Sequence, residues 1–276
     1  MSSYLEEGKS MRILFIGDIM GNTGQDMVDD YLPKLKRRFH PQVTIVNAEN
    51  ATRGRGINEQ VYKRILAAGT DVITMGNHVW DNPEISLFID SAKKILRPAN
   101  FSAGRVPGIG HTVIQINQQK LAVINLQGRV FMGPSDDPFA VANELIAELR
   151  KKTNCIFVDF HAETTSEKEA FSWYFDGKVS AVIGTHTHVQ TNDARILPKG
   201  TAFLSDVGMT GPYDGILGMR RQNVISRFLN QMPTRFEVAE GGRRTLSCCV
   251  IDIADETGVA QKITPLQINA DHPFDE

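Results

Sequence analysis

Cysteine is scarce in this chain, with three residues among 276. The number is odd and two of the three, Cys248 and Cys249, are adjacent. Neighbouring side chains of a strand point to opposite faces, so these two thiols would not pair easily. The spacing excludes a disulfide framework and predicts a protein of the reducing cytoplasm.

Long apolar runs and an excess of charge are also lacking. No window approaches the roughly 18 apolar residues of a membrane span, and the N-terminus has no apolar signal core. The formal net charge is −2 and the pI is near 6.4, which argues against binding nucleic acid mainly through an overall field. We expect no membrane interaction and predict a loose extension at residues 1–10.

The remaining composition, with 41% hydrophobic and 22% charged residues, is that of an ordinary globular protein. No linker, repeat or low-complexity tract interrupts the chain, and its length suits one large α/β domain. Residues 11–276 are therefore predicted to form a single domain.

Apolar runs alternate with amphipathic stretches, which predicts a largely βα organisation. Core strands are expected at residues 12–16, 43–46, 71–75, 155–160 and 179–183, and a hairpin at 112–126. Thr164 and Glu167 indicate a capping box for a helix that ends at Tyr174. In the C-terminal third, strand-like segments are expected at 202–204, 235–238, 245–253 and 259–265, with a helix at 220–229.

Polar side chains follow five core strands at or near the point where each strand ends. They are Asp18, Glu49, Asn77, His161 and His186. Each alone has an ordinary explanation as a helix cap, a turn residue or a core histidine. Together they indicate a site, because ligands of open α/β sheets bind at the carboxyl edge of the strands.

Histidines are concentrated at the same edge. Four of the seven lie there: His78, His161, His186 and His188. Strand-like alternation in His186-Thr187-His188 predicts that both imidazoles face the same side. Carboxylate, amide and imidazole ligands suit divalent ions such as Mn, Fe(II), Co, Ni or Zn. Seven candidate ligands are too many for one ion and favour two ions about 3.5–4 Å apart.

The order of these blocks resembles the calcineurin-like metallophosphoesterases, which are marked by D-x-H, G-D, G-N-H-D/E, H and G-H-x-H. Here the blocks read Gly17-Asp18, Glu49-Asn50, Gly76-Asn77-His78, His161 and Gly184-Thr185-His186-Thr187-His188. The chain lacks a histidine two residues after Asp18 and has Glu49-Asn50 in place of an aspartate. With N-A-E-N-A-T-x-G-x-G and D-F-H-A-E-x-T-S-E-K, these departures look like the YmdB-type bacterial branch. The resemblance covers about residues 12–265.

This resemblance implies a layered α/β/β/α sandwich with a dinuclear metal site at the carboxyl ends of the strands. It implies hydrolysis of phosphodiesters, with 2′,3′- or 3′,5′-cyclic nucleotides as substrates and a metal-bridging hydroxide as nucleophile. Two divalent ions per subunit are implied, iron or manganese ahead of zinc, cobalt and nickel. The branch is also associated with RNA turnover, which implies a protein partner in that process.

Carried over position by position, the resemblance makes Glu49 the bridge between the two ions. Asp18, Asn50 and His188 would complete the first ion, with Asn50 in place of the missing histidine. The second ion would be completed by Asn77, His161 and His186.

The resemblance makes His78 the acid that protonates the leaving alkoxide or the group that orients the phosphate. Its usual acidic neighbour is displaced to Asp81, because Val79 and Trp80 intervene. Arg53 and Arg55, in a glycine-rich segment, and Trp80 are candidate substrate contacts. Arginines in such a segment are more often simply solvated, and filling the core is the alternative for Trp80.

Two other functions stay open. Gly17, Gly21 and Gly24 follow the first strand as in dinucleotide-binding proteins, but their spacing is G-x-x-x-G-x-x-G rather than G-x-G-x-x-G. A non-catalytic regulator would keep the metal site to hold a nucleotide and act through a protein partner. The glycine-rich segment 205–218 is predicted to form either a wall of the site or a contact in a homo-oligomer.

Overall fold

The computed structural model describes residues 10–102 and 105–274, which contain five α-helices and thirteen strands. The helices are α1 (Gly21–Phe39), α2 (Glu59–Ala67), α3 (Pro138–Leu149), α4 (Thr165–Tyr174) and α5 (Arg221–Asn230). The strands are β1 (Ser10–Ile16), β2 (Val43–Asn47), β3 (Val72–Thr74), β4 (Ile95–Leu96), β5 (His111–Ile116), β6 (Gln119–Gln127), β7 (Cys155–His161), β8 (Ala181–Thr185), β9 (Arg195–Ile196), β10 (Ala202–Leu204), β11 (Gly211–Pro212), β12 (Arg244–Ala254) and β13 (Ala260–Ile268). Of the extension expected at residues 1–10, positions 1–9 lie outside the described residues, and Ser10 already belongs to β1.

The strands form two mixed sheets. The first has the order β11-β12-β1-β2-β3-β4, with β13 also paired to β12, and its strands β1 to β4 run parallel. The second has the order β5-β6-β7-β8-β10-β9, in which β6, β7, β8 and β10 run parallel. The backbone N–H of His186, after β8, donates to Asp18 Oδ2, after β1, at 2.9 Å. The carboxyl ends of parallel strands from both sheets therefore meet at one edge.

Side-chain alternation along the strands builds a four-layer molecule. In β1, Ile13 and Phe15 pack between the two sheets, whereas Leu14 and Ile16 pack with residues of α1 and α2. The Phe15 ring meets Phe157 of the second sheet edge to face, with ring centroids 5.0 Å apart. Helices α3 and α4 cover the far side of the second sheet. The expected α/β/β/α sandwich is confirmed.

The cysteines also follow the alternation. Cys248 packs on the helix side of β12 and Cys249 packs between the sheets, and all three cysteines of the chain are free and buried. The expectation that the adjacent pair would point apart is confirmed. Among the described residues, none of the helices combines the length and apolar character that crossing a bilayer requires.

Two local expectations are wrong. The segment 235–238 forms no strand, and only Val238 makes an isolated bridge, to Met219. Thr164 precedes α4 as expected but makes no side-chain cap, and the Glu167 carboxylate accepts the N–H groups of Arg129 and Val130. The local pattern predicted that this carboxylate would cap the start of α4, but it binds a loop from a distant part of the chain instead.

Several glycines at the site edge let chain segments approach closely. A Cβ at Gly17 would overlap the carbonyl oxygen of Gly208, and one at Gly24 would overlap that of Thr210. A Cβ at Gly184, the residue before the last of β8, would overlap the carbonyl oxygen of Ser205. Two of the three glycines that suggested a dinucleotide-binding turn, Gly17 and Gly24, therefore serve packing within the protein.

We expect Gly184→Ala to lower the free energy of unfolding by about 1–3 kcal/mol, because a methyl group there meets a backbone oxygen that cannot turn away. Gly133→Ala is the matched control, since nothing lies within 4 Å of a Cβ at that exposed position. The control should stay within about 0.5 kcal/mol of wild type. Chemical denaturation measures both, and equal midpoints for the two variants would contradict the close approach.

Candidate metal centre

The residues singled out at the strand ends come together at the common edge. Asp18 and Glu49 each follow their strand by two residues, and His161 is the last residue of β7. These three side chains are almost fully buried, with exposed fractions of 1% or less. Burying two carboxylates and an imidazole is costly unless other charges or hydrogen bonds compensate them.

Two groups of ligand atoms share one carboxylate. Among the described residues, one group comprises Glu49, His161 and His186, and the other comprises Asp18, Glu49 and His188. Within each group the ligand atoms lie within 4.8 Å of one another. Glu49 is the residue common to both groups.

The two asparagines extend these groups. Asn50 Nδ2 lies 3.0 Å from Glu49 Oε1 and 3.2 Å from His188 Nε2, beside the second group. Asn77 Oδ1 lies 2.9 Å from His161 Nε2, beside the first. The structure thus brings all seven candidate ligands to one place.

A hydroxyl relay fixes the tautomer of His161. Thr185 Oγ1 lies 2.7 Å from Asp159 Oδ1, which as a carboxylate accepts the hydroxyl proton, and 2.8 Å from His161 Nδ1. Because the hydroxyl has a single hydrogen, it accepts from His161 Nδ1–H, and Nε2 faces Glu49 Oε2 at 3.1 Å. Such outer partners orient imidazole ligands for a metal.

The other two imidazoles are held in the same manner. His186 Nε2 lies 3.0 Å from Glu163 Oε2, while its Nδ1 lies 3.0 Å from His161 Nε2. His188 Nδ1–H donates to the carbonyl oxygen of Leu217 at 3.1 Å, which leaves Nε2 beside Asn50. In each ring, one nitrogen is anchored and the other faces the ligand cluster.

The backbone that carries His186 and His188 is left-handed rather than strand-like. Strand β8 ends before them, and their φ angles are +102° and +67°. The expected strand alternation is therefore wrong, although both rings reach the cluster. Two buried carboxylates hold the turn, since Asp18 accepts the His186 N–H and Asp206 accepts the Thr187 N–H, each at 2.9 Å. Such strained residues persist where surrounding contacts impose them, commonly at functional sites.

The electrostatics of the cluster favour a positive charge at its centre. Burial lowers the pKa of His161, but the Glu49 carboxylate, together with Asp18 and Asp159, outweighs burial and raises that pKa to about 9. Burial raises the pKa of Glu49, but His161 and other nearby histidines outweigh it and lower that pKa to about 2. Burial and the charge of His161 lower the pKa of His186 to about 3. The proton on His161 thus occupies a position that a divalent cation could fill.

Two further features fit a metal. Asp18 Oδ1 is buried and has no hydrogen-bond partner in the part of the chain that the structure describes. Gly76 lets Glu49 and His161 approach the backbone closely, because a Cβ there would overlap Glu49 Oε2 and His161 Nε2. Together with the oxygen and imidazole donors, these features fit divalent ions of the Mn, Fe(II) or Zn type.

The acidic partner of His78 reaches it despite the two inserted residues. His78 Nδ1–H donates to Asp81 Oδ2 at 2.8 Å, and Arg55 Nη1 lies 3.4 Å from the same oxygen. His78 and Arg55 line a cavity of about 840 Å³ that opens over the ligand cluster. Of the other candidate contacts, Arg53 lies at a separate surface depression, and Trp80 packs against the core beneath α1 and α2.

Several residues that organise the cluster escaped the sequence analysis. Asp159 and Glu163 lie two positions on either side of His161, so the D-F-H-A-E pattern offered a local signal. Asp206 carries no such signal, because its partners Thr187 and Lys168 are distant in sequence. The Asp206–Lys168 ion pair is almost fully buried, with N and O atoms 2.9 Å apart.

Known proteins resemble this chain over nearly its whole length. It is 59% identical to the 2′,3′-cyclic-nucleotide 2′-phosphodiesterase of Bacillus subtilis over 266 residues, which is 96% of this chain and 100% of the relative. A crystal structure of a phosphatase from Mycoplasma pneumoniae matches with a TM-score of 0.89 and 35% identity, covering 95% of this chain and 94% of that one. A hypothetical protein from Thermus thermophilus matches with a TM-score of 0.87 and 39% identity, covering 94% of this chain and 99% of that one.

The sequence profile of the family described as "YmdB-like protein" matches residues 14–266. This match includes every candidate ligand, from Asp18 to His188. By its sequence, its fold and its relatives, the chain belongs to the YmdB-like family of calcineurin-like metallophosphoesterases.

Proposed function

We propose that this phosphoester hydrolase is a metal-dependent phosphodiesterase that cleaves cyclic nucleotides at a two-ion centre. The observation that carries the proposal is the shared Glu49 carboxylate, which belongs to both groups of ligand atoms. The name of the Bacillus subtilis relative points to 2′,3′-cyclic nucleotides as the first substrates to test. Iron or manganese are the proposed ions, and the free, buried cysteines support a reducing cytoplasm as the setting.

The first ion would be held by Asp18, Glu49, Asn50 and His188, and the second by Glu49, Asn77, His161 and His186. When bound, such a pair lowers the pKa of a water toward neutrality and draws charge from the phosphate oxygens, which promotes in-line attack at phosphorus. The protein's part is to keep the donor atoms oriented. Thr185, Glu163 and the Leu217 carbonyl do so by holding the outer nitrogens of the three imidazoles.

His78 is the proposed general acid. Its Nδ1–H is bound to Asp81, so Nε2 is the nitrogen that can carry a proton to the leaving ribose oxygen. A positioned acid of this kind contributes about 10²–10⁴-fold to the rate. Its backbone N–H lies 3.3 Å from Glu49 Oε2, which ties the acid to the proposed bridge.

The function is tested by metal analysis of the purified protein followed by turnover of a substrate panel. The panel comprises phosphomonoesters, a chromogenic diester, and 2′,3′- and 3′,5′-cyclic nucleotides. We expect hydrolysis of cyclic nucleotides by protein that holds two ions per chain. Activity confined to monoesters would overturn the substrate class, and tight nucleotide binding without turnover in Mn- or Fe-loaded protein would favour a non-catalytic regulator.

We expect Glu49→Gln to reduce turnover by more than about 100-fold and to lose at least one ion, because the amide removes a negative charge and a ligand from both groups. Metal analysis and steady-state kinetics measure the two effects. Glu148→Gln is the matched control, since that exposed carboxylate pairs with Lys151 at the surface, away from the ligand cluster. Full turnover by metal-loaded Glu49→Gln would contradict the assignment.

Asn50→Ala should weaken the first ion and leave the second, because the lost amide lies beside Glu49 Oε1 and His188. Asn77→Ala is the mirror variant and should weaken the second ion, since its amide lies beside His161. Calorimetric titration of the metal-free proteins with Mn²⁺ resolves the two binding steps. Identical titration curves for the two variants would show that the asparagines do not serve separate ions.

A further inference from the structure

The cavity over the ligand cluster is lined by two kinds of residue. One set comprises proposed metal ligands, His78 and Arg55. The other set, here called the apolar wall, comprises Ile216, Leu217, Met219, Val224, Phe228 and Phe236. A phosphate group alone offers nothing for an apolar wall to bind, and about 840 Å³ is the size of a pocket for a whole small molecule.

The apolar wall is attached directly to the ligand cluster. The Leu217 carbonyl accepts the hydrogen bond of His188 Nδ1–H, so the wall begins at a residue that anchors a proposed metal ligand. A tight turn holds this attachment, in which Ile216 and Met219 exchange backbone hydrogen bonds at 2.9 and 3.0 Å. Met219 also bridges to Val238. The wall therefore stands at a fixed position relative to the proposed ions.

Helix α5 presents two different faces. Val224 precedes Arg227 and Phe228 by three and four residues, as one helix face requires, and these three line the cavity with Gln231, the residue that caps the helix. Leu229 is 81% exposed and lies outside the cavity lining, whereas its neighbour Phe228 is 80% exposed and belongs to that lining. The two adjacent residues are almost equally exposed, but Phe228 lines the cavity and Leu229 does not.

The chemistry of the wall suits an aromatic ring system. Phe228 and Phe236 supply aromatic faces, and the Arg227 guanidinium lies over the Phe236 ring, 5.7 Å from its centroid. Aromatic side chains stack on any nucleobase, because every base has a π-face. Arg227 of α5 and Gln231, which caps that helix, are the polar side chains that this segment contributes to the lining, so it has few groups with which to read base edges.

We propose that the apolar wall is the nucleobase subsite, in which Phe228 and Phe236 stack on the base of the substrate while its phosphate lies at the metal ligands. The inference rests on the proposed function and deepens it. The ester must carry a base or a similar flat ring to be turned over well, and the identity of the base matters less than its presence.

The test compares two cyclic phosphodiesters, adenosine 2′,3′-cyclic phosphate and glycerol 1,2-cyclic phosphate, which lacks a base. For Phe228→Ala and for Phe236→Ala, we expect the ratio of kcat/KM for the nucleotide to that for the glycerol ester to fall roughly 5- to 150-fold. Leu229→Ala is the matched control and should keep the wild-type ratio. Metal analysis accompanies each variant.

The opposing outcomes are distinct. Equal losses on both esters, in Phe228→Ala and in Phe236→Ala, would mean that the wall supports the site without touching the base. An unchanged ratio together with a smaller assembly of Phe228→Ala in size-exclusion chromatography would make the wall a contact between copies of the chain. Either outcome overturns the base subsite.

Failure of the proposed function is recognised separately, because wild-type protein would then hydrolyse neither ester. Calorimetric binding of adenosine 3′-monophosphate, compared with inorganic phosphate, tests the subsite without turnover. Wild-type protein should bind the nucleotide more tightly than phosphate, and Phe228→Ala should lose most of that preference while Leu229→Ala keeps it. An equal preference in both variants would contradict the subsite whatever the reaction.

Discussion

The buried carboxylate of Glu49 is the group around which the other residues of the site are arranged. It lies 3.1 Å from His161 Nε2, 3.0 Å from Asn50 Nδ2 and 3.3 Å from the backbone N–H of His78. An ionised carboxylate at 1% exposure is unfavourable unless positive charge or donors surround it. His161, whose pKa the neighbouring carboxylates raise, supplies positive charge beside Glu49, and divalent ions would supply more of it. The folded protein surrounds this carboxylate with donors and positive charge, and bound divalent ions would stabilise it in the same way.

The site is rigid because it is built on strand ends and held by buried polar groups. Asp159 orients His161 through Thr185, and Asp206 holds the turn between His186 and His188 while pairing with a buried lysine. The left-handed backbone at both histidines requires this support, since such conformations are unfavourable for residues with a Cβ. Removing one member of such a network leaves a buried polar group unpaired, which costs more than the lost contact.

The C-terminal third of the chain supplies the apolar part of the cavity over the site. Strand β12 completes the first sheet beside β1, while the preceding segment with α5 stands over the cavity as the apolar wall. A metal cluster can act on many phosphoesters, so selectivity for a nucleotide has to come from contacts away from phosphorus. The wall offers such contacts at a position fixed by the His188 to Leu217 hydrogen bond.

The sequence by itself determined where the core strands end and which ligand types follow them. Those features are local, because strand periodicity and the residues after each strand are read within a few positions. It also placed the hairpin and the opposed cysteines correctly. The tertiary structure alone decided that Glu163, Asp159 and the Leu217 carbonyl orient the histidines. In the folded protein, Glu167 hydrogen-bonds to a distant loop rather than to the start of its own helix, and the residues of the apolar wall come together. These contacts join segments far apart in the chain, such as Asp18 and His186, which are 168 residues apart. Local side-chain patterns do not specify which of these distant residues pair, because the pairing depends on how the two sheets pack.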